Sequence, residues 1–384
     1  MIGAGVGVGI VGLGGMGHLH ARSMTDLGAD VVAGADLVAD QRNRFAEEFD
    51  AGTYETHDAL VADDAVDAVI VTTPNRFHEP IAVAALEAGC HVLVEKPLAH
   101  TVDSAERIAA TAARSDGICM VGFHNRHAAS MAMFDEQHTR GRFGDLTHVE
   151  ANYVRRRGVP GPGSWFTDPE LAGGGALLDI GVHALDLALY TLGFPEITEV
   201  TGVTRTTFGT AEEYADPDGF GDNWNAQADT YEVDDSVSAF IRCASGETIS
   251  LEAAWATNRE ESMAFRVRGT EGGAQFDIGE TNLSILETGT GGCDHYADVA
   301  MTGDPALTGY TAQDEQFLEA IAADSPSETN TIEEALIVQR VIEAIYRSSE
   351  TGRAQQLEPH PEPTTNWDPE SERVCEAVRR SQSE

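Results

Sequence analysis

The chain contains a single lysine, Lys96, among its 24 basic residues. Lys96 lies in Glu95-Lys96-Pro97, directly after the apolar run at residues 91–94, so we expect it at the C-terminal end of a buried strand. Open α/β sheets bind their ligands at this end of their strands. An ammonium group there is a compact charge with an adjustable pKa, which suits acid–base chemistry or the stabilisation of negative charge that develops on oxygen.

Asp179 and His183 form a second candidate pair. They are spaced i, i+4 within an otherwise apolar helical pattern at residues 176–192, which places both on one helix face, and Asp186 extends that face. Imidazole titrates near neutrality and can therefore act as a general base beside a carboxylate. Taken alone, the pattern fits an internal ion pair, or a histidine that is hydrogen-bonded to the backbone, better than a catalytic pair.

A glycine-rich segment predicts a dinucleotide site. The chain matches GxGxxG in two frames, but only the second frame has an apolar strand pattern before it and a helical pattern after it. Its three glycines would make a tight turn, admit a pyrophosphate and let the helix pack on the strand, and the helix N-terminus would favour phosphate charge. The segment comprises Gly12, Leu13, Gly14, Gly15, Met16 and Gly17.

Asp36 ends the second apolar run, where a carboxylate accepts hydrogen bonds from a ribose diol and repels a 2′-phosphate. Leu37 and Val38 follow it instead of basic residues, so we predict NAD in preference to NADP. Polar residues after the next two apolar runs are predicted to line the cofactor, although Asn75 could instead cap a helix. These residues are Thr73, Asn75, His78, Glu95 and Lys96.

Residues 6–123 alternate apolar runs with helical patterns, which predicts βαβ units and a parallel sheet. Most of the runs are continuously apolar, as expected for strands that are covered on both faces. The predicted strands are 6–13, 30–37, 68–73, 91–95 and 118–123, and the predicted helices are 15–27, 39–49, 79–88 and 102–114.

After about residue 125 the strand patterns are separated by loops more often than by helices, which predicts a mostly antiparallel sheet. We expect strands at 146–155, 199–208, 233–241, 247–256, 264–269 and 283–286, and helices at 176–192, 312–323 and 332–349. The fold class is therefore α/β, with a dinucleotide-binding domain at 1–125, a second α/β domain at 126–353 and a loose, acidic, proline-containing tail at 354–384.

The 64 acidic residues give a formal net charge of −40, which repels nucleic acids and anionic membranes. Acidic excess with one lysine is typical of adaptation to molar salt, which screens the repulsion; an ordinary acidic cytosolic protein is the alternative. The five cysteines form no CxxC pair, the start lacks a signal-peptide pattern and no apolar run approaches a membrane span. We expect a cytoplasmic protein without metal, nucleic-acid or membrane partners.

Together these features resemble the glucose–fructose oxidoreductase / inositol dehydrogenase / MocA (Gfo/Idh/MocA) family over about residues 6–353. The resemblance implies an N-terminal Rossmann domain and a C-terminal α/β domain with a large, mostly antiparallel sheet that forms a homodimer or homotetramer. It also implies NAD(P)-dependent oxidation of a hydroxyl on a carbohydrate substrate, a sugar or polyol. It rests on the glycine segment, Asp36, Thr73-Pro74-Asn75 with His78, Glu95-Lys96-Pro97, Asp179-x-Gly181-x-His183, and Ile345-Tyr346-Arg347-Ser348 leading to Thr351-Gly352-Arg353.

The resemblance assigns catalytic roles to Lys96, Asp179 and His183. His183 would be the general base and Lys96 would donate a hydrogen bond to the reacting oxygen, although Lys96 itself could be the base. Asp179 would orient the imidazole or bind a neighbouring hydroxyl. His127 departs from the family, which often has an aromatic residue there. The predicted substrate contacts are Lys96, His124, Arg157, Trp165, Asp179 and His183.

Two other functions are compatible with this resemblance. A minority of such proteins are glycoside hydrolases that retain NAD and oxidise their substrate only transiently. Others are NAD-binding regulators without turnover. The intact set of Lys96, Asp179 and His183 argues against a regulator but does not exclude a glycoside hydrolase.

Overall fold

The computed structural model describes residues 2–161, 163–211, 214–217, 231–304 and 309–358, so the predicted tail lies outside the described residues from 359 onward. The helices of the described residues are α1 (Gly15–Leu27), α2 (Ala39–Phe49), α3 (His57–Val61), α4 (His78–Glu87), α5 (Val102–Ala112), α6 (Ala129–Thr139), α7 (Pro169–Ala172), α8 (Val182–Thr191), α9 (Gly309–Ala323) and α10 (Ile332–Thr351).

The strands divide into two main sheets and a short hairpin. The first sheet contains β1 (Gly7–Val11), β2 (Asp30–Ala35), β3 (Gly52–Tyr54), β4 (Ala68–Val71), β5 (His91–Glu95) and β6 (Cys119–Gly122). The second contains β7 (Leu146–Val154), β8 (Ile197–Arg205), β9 (Ser236–Cys243), β10 (Thr248–Ala254), β11 (Ala264–Gly269), β12 (Gly273–Asp277), β13 (Asn282–Leu286), β16 (Val299–Thr302) and β17 (Gln355–Gln356), and the hairpin pairs β14 (Thr288–Gly289) with β15 (His295–Tyr296).

The first sheet is parallel throughout, in the order β3-β2-β1-β4-β5-β6, which confirms the predicted arrangement. Every residue of β1 and β4 is buried, as their continuously apolar sequences require. Helices α1 and α2 have the predicted bounds. Strand β3 and helix α3 were not predicted, because three and five residues are too short to show a period.

The second sheet has the order β16-β13-β12-β11-β7-β10-β9-β8-β17. All of its pairs are antiparallel except β7 with β10, which confirms a mostly antiparallel sheet. Three of its strands, β12, β16 and β17, and the helix α6 were not predicted. In α6 the apolar residues do not form a stripe, so the helix has no readable amphipathic pattern.

The single helix predicted at residues 176–192 is interrupted in the structure. A π-helical turn at Leu177–Gly181 precedes α8, and Asp179 lies within this turn. The wider turn changes the angular spacing, so Asp179 and His183 do not have the i, i+4 relation of a regular α-helix. The stretch Pro169–Thr191 is long and apolar enough to cross a membrane, but 78% of its most apolar window is buried, as in a core helix.

Helix α9 belongs by sequence to the second half of the chain but packs against the first sheet. Its side chains Phe317 and Leu318 share one buried cluster with Val8 and Ile10 of β1. The chain after α9 also reaches the first domain, where the Val121 amide donates to the carbonyl oxygen of Asn330. The start of α9 therefore lies at the carboxyl edge of the parallel sheet, between the two domains.

Candidate active site

The glycine segment forms an open turn between β1 and α1. Gly12 has a φ of +96°, and a Cβ atom there would approach the Thr72 carbonyl carbon to 2.8 Å. A Cβ atom at Gly17 would clash with the Gly12 carbonyl oxygen, so the helix packs closely on the turn. By contrast, a Cβ atom at Gly14 or Gly15 would meet no described atom within 4 Å. The turn thus leaves space beside the free amides at the start of α1, which fits a pyrophosphate.

Asp36 lies beside this turn at the end of β2. Its Oδ2 accepts the Leu13 amide at 2.8 Å and its Oδ1 accepts the Val38 amide at 2.8 Å. The side chains of Leu37 and Val38 are exposed. Arg42 donates from Nη1 to the Asp36 carbonyl oxygen at 2.6 Å. The carboxylate is therefore fixed where it can accept hydrogen bonds from a ribose diol, but the Arg42 guanidinium lies close to it.

A cavity of about 440 Å³ opens next to the glycine turn, between the carboxyl edge of the first sheet and the second sheet. Ten of the predicted site residues line it, whereas the glycines and Leu13 belong to the adjoining turn and Asp36 lies beside that turn. The predicted lining residues are Met16, Thr73, Asn75, His78, Glu95, Lys96, His124, Trp165, Asp179 and His183. Residues that the sequence did not indicate include Tyr153, Phe166, Met263, Ile278 and Tyr310.

Lys96 and Asp179 are in direct contact in this cavity. Lys96 Nζ donates to the Asp179 carbonyl oxygen at 2.9 Å and to Asp179 Oδ1 at 3.2 Å. The other carboxylate oxygen, Oδ2, accepts the indole N–H of the buried Trp255 at 2.9 Å. The prediction that Asp179 orients the His183 imidazole is therefore corrected, because both carboxylate oxygens are engaged by Lys96 and Trp255.

His183 provides a buried, neutral imidazole. The residue is 7% exposed, and its Nδ1 has no partner among the described residues. Burial, followed by the charge of Lys96 and by His124 and Arg155, lowers the pKa of His183 well below 6.5. At neutral pH the ring is therefore unprotonated and able to accept a proton.

His124 forms one wall beside His183. Its ring stacks on Tyr310 with centroids 3.8 Å apart and meets the edge of the His183 ring at 5.1 Å. Burial is the main reason that the pKa of His124 is lowered to about 4. His127, which replaces an aromatic residue of the resembling family, does not line the cavity and contacts Asn330 at 3.3 Å. An aromatic ring is instead supplied by Tyr310 from α9.

Arg157, a predicted substrate contact, does not line the cavity. Its guanidinium donates to carbonyl oxygens of Arg156, Ala215 and Thr257, and it lies over the ring of Phe208. Arg155, two residues earlier in the arginine run, lines the cavity instead. In an extended strand, side chains two residues apart lie on the same side, which would place Arg155 and Arg157 together. The strand ends at Val154, however, so the two arginine side chains lie in different places.

The polar residues after β4 connect neighbouring loops at the cavity edge. Asn75 does not cap a helix; its Nδ2 donates to the Ala172 carbonyl at 2.8 Å. His78 is buried, with its ring nitrogens 2.9 Å from the carbonyl oxygens of Pro97 and Thr73. Burial lowers the pKa of His78, although the contacts with the two carbonyl oxygens oppose this shift, and the ring bridges two loops. The Thr73 hydroxyl is buried and has no partner among the described residues.

The site thus joins a groove suited to a dinucleotide with a cavity that contains an ammonium, a carboxylate and a neutral imidazole. Such a set can polarise a hydroxyl oxygen and remove its proton while a cofactor accepts hydride. Among the described residues, no group of three histidine, cysteine or acidic side chains could hold a metal ion.

Family models match both parts of the chain. The model described as "Oxidoreductase family, NAD-binding Rossmann fold" covers residues 6–123, and the "GFO/IDH/MocA C-terminal domain" model covers residues 134–275. D-glucoside 3-dehydrogenase of Escherichia coli (strain K12) is 32% identical over 85% of this chain and 90% of its own length.

Two further comparisons extend over nearly the whole chain. D-xylose 1-dehydrogenase (NADP(+)) 2 of Haloferax volcanii is 28% identical over 91% of this chain and 98% of its own length. A solved structure of levoglucosan dehydrogenase in complex with NADH and levoglucosan has a TM-score of 0.80, covers 91% of this chain and 99% of its own, and is 24% identical. This structure establishes the likeness of the fold.

Proposed function

The chain belongs to the Gfo/Idh/MocA family of NAD-binding oxidoreductases, and we propose that it oxidises a secondary hydroxyl of a sugar, polyol or glycoside. The enzyme is a dehydrogenase. The observation that supports the proposed reaction most strongly is the convergence of Lys96, Asp179 and the neutral His183 on one cavity beside the dinucleotide groove.

In the proposed mechanism the glycine turn and Asp36 bind NAD, which supplies the hydride acceptor. His183 accepts the hydroxyl proton, because its imidazole is unprotonated and is directed into the cavity. Lys96 donates a hydrogen bond to the same oxygen and stabilises the charge that develops there. Asp179 keeps the ammonium in place and is itself held by Trp255. Lys96 as the base is the alternative that the pH profile distinguishes.

The lining of the cavity supports a carbohydrate as the substrate. Aromatic rings of Tyr153, Trp165, Phe166 and Tyr310 share the cavity with charged and hydrogen-bonding groups. A sugar ring has apolar C–H faces and a polar rim, and such a mixed lining can contact both. Because the D-glucoside 3-dehydrogenase relative is similar over most of the chain, D-glucosides are the first substrates to test.

Two copies of this chain could associate through the outer face of the second sheet, which no helix of the described residues covers. On this face Glu150, Ser250, Phe240 and Thr201 are aligned across four strands. We propose a homodimer or homotetramer through this face, in a salt-rich cytoplasm where the charge of −40 is screened. Light scattering in molar KCl measures the oligomeric state, and a monomer would contradict this proposal.

The activity is tested with a panel of D-glucosides, levoglucosan, inositols and xylose, with NAD or NADP in molar KCl, while the NADH absorbance band is followed. Formation of free NADH with at least one compound is expected. Release of the aglycone without accumulation of NADH would instead identify an NAD-retaining glycoside hydrolase. Binding of NAD without any turnover would indicate a regulator.

A further inference from the structure

Three buried charged side chains form a chain directly behind the cavity. His20, on α1, contacts Asp314 Oδ1 through Nδ1 at 2.8 Å and Glu95 Oε1 through Nε2 at 3.1 Å. His20 and Asp314 are 0% exposed, and Glu95 is 7% exposed and lines the cavity. Asp314 comes from α9 and Glu95 from the end of β5, so this acid–histidine–acid chain joins both halves of the sequence.

His20 carries a positive charge in this chain. Both of its ring nitrogens face carboxylate oxygens, so both must donate a hydrogen bond, which only the imidazolium form can do. Burial acts to lower its pKa, but the interactions with Asp314 and Glu95 are stronger and raise it to about 10. Burial acts to raise the pKa of the Glu95 carboxyl group, but the hydrogen bond and charge of His20, together with His124 and Lys96, lower it.

The Glu95 carboxylate is held in one position. Its Oε2 accepts the Lys96 amide at 3.1 Å, while Oε1 faces His20. On the neighbouring strand Gly122 packs against it, since a Cβ atom at Gly122 would lie 3.1 Å from the Glu95 carboxyl carbon. A fixed carboxylate therefore faces the cavity, and the nearest ammonium, that of Lys96, is already paired with Asp179.

We propose that the acid–histidine–acid chain keeps Glu95 anionic at the nicotinamide end of the dinucleotide and thereby favours NAD⁺ over NADH. The inference rests on the proposed function, in which NAD occupies the groove. Asp36 and the glycine turn take the adenosine and pyrophosphate, and Met16 connects that turn to the cavity, so the nicotinamide end is the part that enters. The oxidised ring is a cation and the reduced ring is neutral, so a buried anion discriminates between them.

His20 and Asp314 are positioning residues in this proposal, since neither lines the cavity. The His20 imidazolium contacts both Asp314 and Glu95. Without Asp314, the imidazolium would neutralise Glu95 alone, and the anion that the cavity experiences would be weaker. A merely structural role would change the binding of both nucleotide forms equally.

The test measures Kd for NAD⁺ and for NADH separately by calorimetry, without substrate and at matched KCl, in the full-length protein. For Glu95→Gln we expect Kd(NADH)/Kd(NAD⁺) to fall about tenfold, and for Asp314→Asn about threefold. The matched control is Asp135→Asn, which removes a partly buried carboxylate that accepts the Tyr190 hydroxyl at 3.0 Å and does not line the cavity. Its ratio should equal that of the wild type.

Equal changes in both Kd values, or no change, in the two variants would overturn the inference while NAD binding itself stands. If the wild-type protein binds neither nucleotide, the proposed function fails and the inference fails with it. Thermal melting followed by circular dichroism identifies a variant that does not fold. Asp314→Asn, which leaves the cavity lining unchanged, then provides the decisive ratio.

Discussion

Lys96 is the residue whose chemistry is tested most directly. Its ammonium contacts both the carbonyl and the carboxylate of Asp179, and a guanidinium cannot reproduce this compact geometry. For Lys96→Arg we expect kcat to fall roughly 10²–10⁴-fold, the range of acid–base and oxyanion groups, with little change in the Kd of NAD. Steady-state kinetics and calorimetry measure the two quantities. Arg22→Lys, in an exposed pair with Glu48, is the control; turnover by Lys96→Arg at the wild-type rate would refute the assignment.

The low pKa of His183 makes a prediction for the pH profile. Because burial holds this pKa well below 6.5, the imidazole protonates only in more acidic solution. If His183 is the base, kcat/KM should therefore stay level from pH 8 to below 6.5 and decline only at lower pH. A decline in activity that begins well above pH 6.5 would instead show that His183 is not the base and would favour Lys96, the alternative. A pH profile at constant ionic strength separates the two mechanisms.

The position of Asp36 leads us to predict a preference for NAD over NADP. Its carboxylate is fixed by the Leu13 and Val38 amides and would repel a 2′-phosphate. We expect kcat/KM to be at least about tenfold higher for NAD than for NADP, since one unfavourable charge contact costs about 1.4 kcal/mol or more. In Asp36→Ser the preference should shrink or reverse, because Arg42 lies beside this position. An NADP preference in the wild type would show that Arg42 already binds the phosphate.

At the scale of elements, the segment that carries Asp179 is held by Asp234, which is in turn held by Tyr346 of α10. Asp234 accepts the amides of Gly175 and Leu177 at 2.9 and 2.8 Å, and the Tyr346 hydroxyl donates to it at 2.7 Å. A Cβ atom at Gly175 would clash with the Asp234 carbonyl oxygen, which explains the glycine run before the π-helical turn. The motif around Tyr346 thus has a structural reason to accompany Asp179 and His183.

We predict that Tyr346→Phe lowers both stability and turnover. Loss of one buried hydrogen bond costs about 1–3 kcal/mol, and the loosened turn should reduce kcat several-fold. Tyr190→Phe is a matched control, because the Tyr190 hydroxyl donates to Asp135 at 3.0 Å and neither residue lines the cavity. Both variants should melt at lower temperature, but only Tyr346→Phe should lose kcat. Equal kcat in the two variants would show that the turn does not depend on this contact.

At the scale of the whole molecule, the net charge of −40 dominates the expected behaviour. The carboxylates repel one another over about 10 Å in 0.1 M salt but only about 3 Å in 1 M salt. We therefore expect the melting temperature and activity to increase between 0.1 M and molar KCl, with dissociation or unfolding at the low end. Added NAD should rescue low-salt stability only in part, since its site is separate from most of the surface charge. Melting curves, rates and light scattering that do not change with salt would contradict this expectation.

Local patterns were sufficient to predict the α/β class, both sheets and most residues of the site. The glycine turn, Asp36 and Glu95-Lys96-Pro97 could be located because each follows an apolar strand, and parallel strands bring their carboxyl ends to one edge. These features depend on neighbours within a few residues, which is why the sequence alone determined them. Short elements such as β3 and the amphipathically irregular α6 left no such pattern.

Only the tertiary structure decided which groups from distant parts of the chain meet. Asp179 contacts Lys96 and Trp255 instead of His183, Tyr310 reaches His124, and Asp314 reaches His20. Each of these contacts joins residues separated by at least 76 positions, so no local periodicity indicates them. They arise because the π-helical turn redirects Asp179 and because α9 packs on the first sheet. The packing of distant elements, rather than residue spacing, therefore sets the partners of each candidate catalytic group.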